Sequence, residues 1–196
     1  HDDTCLSRAG KQQVHKLRDS LAREGLCPSH VYTSPLRRAV NTATILSQSW
    51  APRPIPKGDL IEHNVGVISG MTRNEIREKY PEMDLDFEIA RGLEGIEGVE
   101  PLAQRRERAH RIVAEAINNH RNSDTVLMVT HGGIIQHIIA ELLGTTRTWG
   151  INVPNTALFD FTIDLDRWPQ DGSALANPSF WRIVRFNDVA HLAPIT

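Results

Sequence analysis

An α/β sandwich built around a largely parallel sheet is the fold class this sequence predicts, on three observations. Short apolar runs that read as buried strands alternate with amphipathic helical patterns, as where Val126-Leu127-Met128-Val129 gives way to Ile134, Ile135, Ile138 and Ile139. Residues that start and stop helices stand between those runs. No repeat or low-complexity tract interrupts the alternation. At 196 residues and 40% hydrophobic content the chain can bury one good core, which predicts a single domain over residues 1–196.

The elements follow in order. Ser7 is placed to cap a helix carrying Val14, Leu17 and Leu21 on one face, and Gly25 is placed to end it. Val31-Tyr32-Thr33 reads as a strand. Pro35 suits the first position of the next helix, whose apolar stripe is Leu36, Ala39, Val40, Ala43 and Leu46. Ala51 to Pro56, with three prolines, reads as a stiff connector, and Leu60-Ile61 as a strand-like pair. Thr72 and Glu75 can form a capping box for a helix that stops at Tyr80, before Pro81. Arg91 to Glu100 reads as a loop, Leu102 to His120 as a long basic amphipathic helix, and Ala157 to Ile163 and Phe180 to Phe186 as strands.

Charge and composition narrow the function. Twenty-two basic residues against 24 acidic ones leave a net charge of −2, which argues against a nucleic-acid surface and makes any anion site a local cluster. The absence of a bilayer-length apolar run or a charged-then-apolar leader predicts a soluble chain with no membrane partner. Cys5 and Cys27 lack metal or redox spacing, read as ordinary thiols, and fit a reducing, cytoplasmic setting. The nine histidines form no metal-ligand motif, so neither a metal nor another cofactor is expected.

Three polar signals stand where strands end. At Thr130-His131-Gly132-Gly133 a strand gives way to a helix; the glycines let backbone N–H groups approach a ligand, and the helix N-terminus suits a phosphate. A histidine that merely caps the strand is the plainer alternative. At Thr33-Ser34-Pro35-Leu36-Arg37-Arg38-Ala39 arginines fall in a helix's first turn, against its dipole, where they are either solvated or hold an anion; for Arg37 a surface role fits better. Glu62 follows Leu60-Ile61 and precedes the loop Gly66 to Gly70; taken alone, it fits a solvated loop residue better. Together, an arginine, a glutamate and a histidine able to converge on one sheet edge mark where such folds bind ligands.

These strings, with Thr42, Gly66 and Gly70, resemble three of the four signature blocks of the histidine phosphatase superfamily, the phosphoglycerate-mutase-like proteins, and Leu6 to Gln13 resembles the opening of that family's first long helix. The resemblance implies a three-layer α/β sandwich with a mostly parallel central sheet. It implies that Arg38 and Gly132 bind the substrate's phosphate, that Glu62 protonates the leaving group, and that His131 contacts the phosphate and stabilises the transition state. The family's first block, a strand ending in Arg-His-Gly whose histidine becomes phosphorylated, has no counterpart here, and His1 has no flanking Arg and Gly. Either that strand lies upstream of His1 or the nucleophile has been lost. The first alternative is favoured, because without the strand Val31–Thr33 and Val126–Val129, expected on either side of it, would be left with unpaired backbone.

Such chemistry rests on arginines and histidines facing the charge spread over a transferring phosphoryl group, with a glutamate whose pKa is raised toward neutrality. Glu62 and His131 stand 69 positions apart (131 minus 62), a compact spacing that resembles the phosphatase branch more than the mutase branch with its longer insertion. The expected activity is metal-independent hydrolysis of a small phosphorylated metabolite, with a phosphoglycerate mutase and a non-catalytic phosphate-binding or regulatory module as alternatives. Specificity is expected from Met71 to Glu100, where Arg73, Arg77, Lys79 and Arg91 can hold an acidic group and Met83, Leu85 and Phe87 an apolar one; a solvated helix and loop is the other reading. Gln136 stands where many relatives carry arginine. Trp168, Phe180 and Trp181 suit a homodimer interface or core packing equally well.

Overall fold

Ser7 accepts a hydrogen bond from the Gly10 amide at 3.0 Å and opens helix α1 (Arg8–Arg23), whose buried face is Val14, Leu17 and Leu21 as expected. Gly25, at φ +70°, takes the left-handed conformation just past the helix end, and strand β1 (His30–Thr33) follows. The computed structural model describes residues 3–90, 92–148, 150–168 and 179–193. Helix α2 (Arg37–Leu46) starts two residues beyond Pro35, because Leu36 stays extended at ψ 136° and serves as the cap position. Its own side chain makes no cap bond; instead Oδ1 of Asp3 accepts from the Arg37 amide at 2.6 Å. A carboxylate from the N-terminal segment thus serves the α2 dipole beside the two arginines.

The proline-rich connector ends in a two-residue strand, β2 (Ile55–Pro56), on the outer edge of the sheet, where a proline's missing N–H costs no ladder bond. Leu60-Ile61 is not a strand: Gly58–Leu60 forms a single 3-10 turn that buries Leu60 completely. Helix α3 (Arg73–Lys79) carries both halves of the capping box, with the Glu75 amide donating to Thr72 Oγ1 at 3.3 Å and the Thr72 amide to Glu75 Oε2 at 2.7 Å, and it is capped at Tyr80. A further short helix, α4 (Leu85–Ala90), was not foreseen; Asp84 accepts from the Phe87 amide at its start. These pieces close a small core of their own on Ile68, Ile76, Leu85 and Ile96.

Helix α5 (Leu102–Asn118), strand β3 (Val126–Val129), helix α6 (Gly132–Leu142) and the hairpin of β4 (Leu158–Ile163) with β5 (Trp181–Asp188) complete the chain. Alternate residues of β3 face opposite layers: Val126 and Met128 pack with α5 and α6, whereas Leu127 and Val129 pack with α1 and α2. That is the three-layer sandwich. Trp168 and Trp181 meet edge to face at 6.4 Å, and the Arg167 guanidinium lies over the Phe180 ring, so each of these aromatics has a partner within the chain.

The sheet order is β2-β1-β3, all parallel, with β4 and β5 antiparallel to each other. This corrects the expectation that β1 and β3 flank an unfilled position: they pair directly, His30 with Val126 through Thr33 with Val129. Their matched lengths and apolar two-faced patterns let them close a full parallel ladder. Among the described residues β3 pairs only with β1 and β4 only with β5. A cavity of about 510 Å³ lies between the two sheets, with Leu127 and Val129 on one wall and Val153 and Leu158 on the other.

Candidate active site

The parallel register that matches Thr33 with Val129 brings the ends of β1 and β3 side by side. Ser34 and His131 therefore become neighbours: Nε2 of His131 lies 2.7 Å from Oγ of Ser34, which is fully buried and also accepts from the Leu36 amide. Sequence reasoning gave Ser34 no role. Its cue was a small hydroxyl residue one step past a strand, in register with a candidate histidine. His131 itself is the extended N-cap residue of α6. Burial lowers its pKa to about 4 against the pull of Glu62, with Arg38 and Arg108 adding to the drop, so the ring is neutral at pH 7.

Glu62 reaches the same place from the turn after β2. Thr130 Oγ1 donates to the Leu60 carbonyl at 2.8 Å, tying that turn to the end of β3. The Glu62 carboxylate then meets the N-terminus of α6: Oε2 accepts from the Gly133 amide at 3.0 Å, and Oε1 from the Ile134 amide at 3.1 Å and the His63 amide at 2.9 Å. Helix amides expected to face a phosphate are thus engaged in part by the protein's own carboxylate. Burial alone would raise the Glu62 pKa; the His63 side chain and the Gly133 amide outweigh it and hold the group at about 2. A carboxyl raised toward neutrality was expected, and the His63 side chain, joined by the Gly133 amide at the helix N-terminus, is the physical reason for the opposite outcome.

Arg38, Glu62, His131 and Gly132 all line the one cavity between β3 and β4. Arg38 is half-buried there while Arg37 is exposed, in line with a surface role for Arg37. Gln136 bonds back to the Gly132 carbonyl at 3.3 Å, beneath the cavity. The segment expected to set specificity does not reach this space in its described residues. Arg73 and Arg77 pair with Asp86 on the surface, Lys79 lies over the Tyr80 ring, Met83 and Leu85 pack in the small core, and Phe87 faces outward. Arg91 lies outside the described residues, as does His1. The cavity is walled instead by Cys5, Ser7 and the Val153-Pro154-Asn155-Thr156 turn, where Thr156 holds φ +64° and Oγ1 lies 2.9 Å from Nε2 of His191.

A buried ion pair supports Glu62 from behind. Arg108 grips Glu100 through two bonds of 2.7 and 2.8 Å, and its Nη1 donates to the carbonyls of Asp59 and Ile61, the residues on either side of Leu60. Arg105 is buried alongside, bonded to the carbonyls of Glu100 and Gly92. Neither was singled out from sequence, since a basic helix face ordinarily reads as solvated.

A three-layer α/β fold with an arginine, a histidine and a glutamate gathered at its sheet ends defines a protein of the phosphoryl-transfer type. The model of the histidine phosphatase superfamily (branch 1) matches residues 1–172, and the chain belongs to that superfamily. It is 32% identical over 161 residues to phosphoserine phosphatase 1 of Hydrogenobacter thermophilus, covering 79% of this chain and 73% of that one. It is 26% identical to a 2,3-bisphosphoglycerate-dependent phosphoglycerate mutase of Corynebacterium jeikeium, covering 84% and 76%. Among solved structures, Bacillus stearothermophilus YhfR superposes with a TM-score of 0.76 over 97% of this chain and 88% of its own, at 24% identity.

Proposed function

We propose that this chain carries the phosphate pocket and the acid of a phosphomonoester hydrolase that works through a phosphohistidine, on a small phosphorylated metabolite and without a metal. The observation that supports this most is the convergence of Arg38, Glu62 and His131 on a single cavity. Arg38 supplies fixed positive charge to the phosphoryl oxygens. His131, neutral when the site is free and steadied by Ser34, gains a proton as the phosphate dianion arrives and then adds a second cation. The same dianion opposes the charge on Glu62 and raises its proton affinity, which readies the carboxyl to protonate the leaving oxygen and later to take a proton from the attacking water.

In this reading the nucleophilic imidazole comes from a strand ending in Arg-His-Gly, ahead of His1 and seated between β3 and β4. Attack by that imidazole splits the reaction into formation and hydrolysis of a phosphoenzyme. The compact spacing of Glu62 and His131 favours hydrolysis over mutase action, and phosphoserine, the substrate in the name of the Hydrogenobacter relative, is the first candidate. The test is turnover of p-nitrophenyl phosphate and phosphoserine by the full-length natural protein in the presence of chelator, with its first peptide sequenced. Turnover upholds the assignment, and transfer to phosphoglycerate in place of water would favour the mutase. Silence in a verified full-length sample replaces the enzyme with a phosphate-binding module.

A further inference from the structure

We propose that His63 supplies the proton that Glu62 passes to the leaving group, an inference that rests on the reading of Glu62 as the acid. Nδ1 of His63 lies 3.1 Å from Oε1 of Glu62, alongside the amide donors from His63, Gly133 and Ile134. Backbone amides do not release protons at ordinary pH. Of these four donors, only the His63 ring can do so. The same ring is first among the groups that hold Glu62 as an anion, and it is the one of them that can hand its proton over.

The placement suits the task. Glu62 lines the cavity, and the ring beside it is not fully buried, its side chain 17% exposed. Gly133 permits the approach, because the ring lies where a β-carbon would otherwise be. Glu62 adjoins the ring on its own segment, and His137 of α6 feels the charge of His63 as it does that of Arg105, Arg106 and Arg108 from α5, the last paired with Glu100. His63 reaches substrate only through Glu62 and is in that sense a positioning residue.

The proton balance closes over a turnover. In the first half the Nδ1–H bond breaks as the Glu62 O–H forms, and that proton moves to the leaving oxygen as its bond to phosphorus breaks. In the second half water attacks phosphorus, the P–N bond to the nucleophile breaks, and the proton lost by water returns through Glu62 to Nδ1. Imidazole and carboxylate end as they began.

The discriminating variant is His63→Asn, whose amide can still donate to Glu62 but cannot give up a proton. On full-length enzyme, kcat for an alkyl phosphomonoester such as phosphoserine is expected to fall by about 10- to 100-fold, while p-nitrophenyl phosphate, whose leaving group needs no proton, changes by less than about 3-fold. The basic limb of the alkyl pH profile is expected to disappear. His63→Gln, with a longer amide, guards against a local misfit. Retention of both activities in either variant, or equal loss of both, overturns the proposal. Glu62→Gln separates the two levels of argument: if it shows no preference for aryl over alkyl substrates, the acid role of Glu62 falls first.

Discussion

A β-carbon on Gly133 would lie 2.2 Å from Nδ1 of His63, and 2.5 Å from Oε1 of Glu62. The glycine is required there by packing: the ring and the carboxylate occupy the space over the first turn of α6. Its neighbour differs. A β-carbon on Gly132 would meet only Val153, at an ordinary 3.7 Å. The two glycines of the strand-to-helix turn thus have separate duties, one making room for the Glu62 carboxylate and the other leaving an open wall on the cavity.

Gly133→Ala is therefore expected to fold, since alanine favours the helix, yet to push Glu62 and His63 out of place and lower kcat by about a hundredfold, the scale of a misplacement of roughly 1 Å. Gly132→Ala should cost far less. Steady-state kinetics on both variants, with circular dichroism to verify folding, decides it; equal rates would remove the packing argument.

Much of this arrangement was legible in sequence because its signals are local. Capping by Ser7, the Thr72 and Glu75 box, the apolar face of α1 and the two-faced β3 each follow from spacing within a few residues. So does the placing of Arg38 and His131 at element starts. What escaped depends on distant partners. Nothing near Glu62 reveals that α6, some 70 positions on, donates two amides to it, and nothing in the basic pattern of α5 marks Arg108 as buried. The expectation of a strand between β1 and β3 rests on the family resemblance, and their direct pairing is a long-range contact that local periodicity does not encode.

Ser34→Ala, Arg38→Ala and His131→Ala form a graded series. The two last remove charge or hydrogen bonding from the cavity itself and should each lower turnover by about a hundredfold or more. Ser34→Ala removes only the bond that steadies the His131 ring, and a loss of about tenfold is expected. Near-normal turnover in His131→Ala or Arg38→Ala would take that residue out of the site.

Arg108→Met should be among the most destabilising single changes in the chain. It leaves Glu100 as an unpaired carboxylate, 12% exposed, and strips two carbonyls of their donor. Breaking one side of a buried pair costs about 3–5 kcal/mol. Urea unfolding measures it, and a loss under about 1 kcal/mol would show the pair to be ornamental. Replacing both partners with apolar residues should recover part of the loss while leaving Glu62 loosely held, so stability and turnover should separate in the double variant.

Acid should weaken this fold early, and His137 identifies why. The residue is 6% exposed, its Nδ1 has no hydrogen-bond partner among the described residues, and burial, helped by Arg105 and His63, lowers its pKa to about 4. His131 is lowered to a similar value. Between an ordinary histidine pKa of about 6.5 and 4, the unfolded chain binds protons that the folded chain refuses, so stability falls as pH drops through that window, by up to about 1.4 kcal/mol per pH unit for each ring. Glu62 acts lower down: its folded pKa of about 2 lies beneath the ordinary glutamate value of 4.5, so its contribution is intact above 4.5 and is lost as pH falls toward 2. His137→Leu removes one ring's share and the unpartnered nitrogen with it. It should be neutral or mildly stabilising at pH 8 and clearly stabilising at pH 5, with a flatter dependence between. Unfolding curves at the two pH values give the answer, and an identical pH dependence in variant and parent would mean that His137 is protonated in the fold after all.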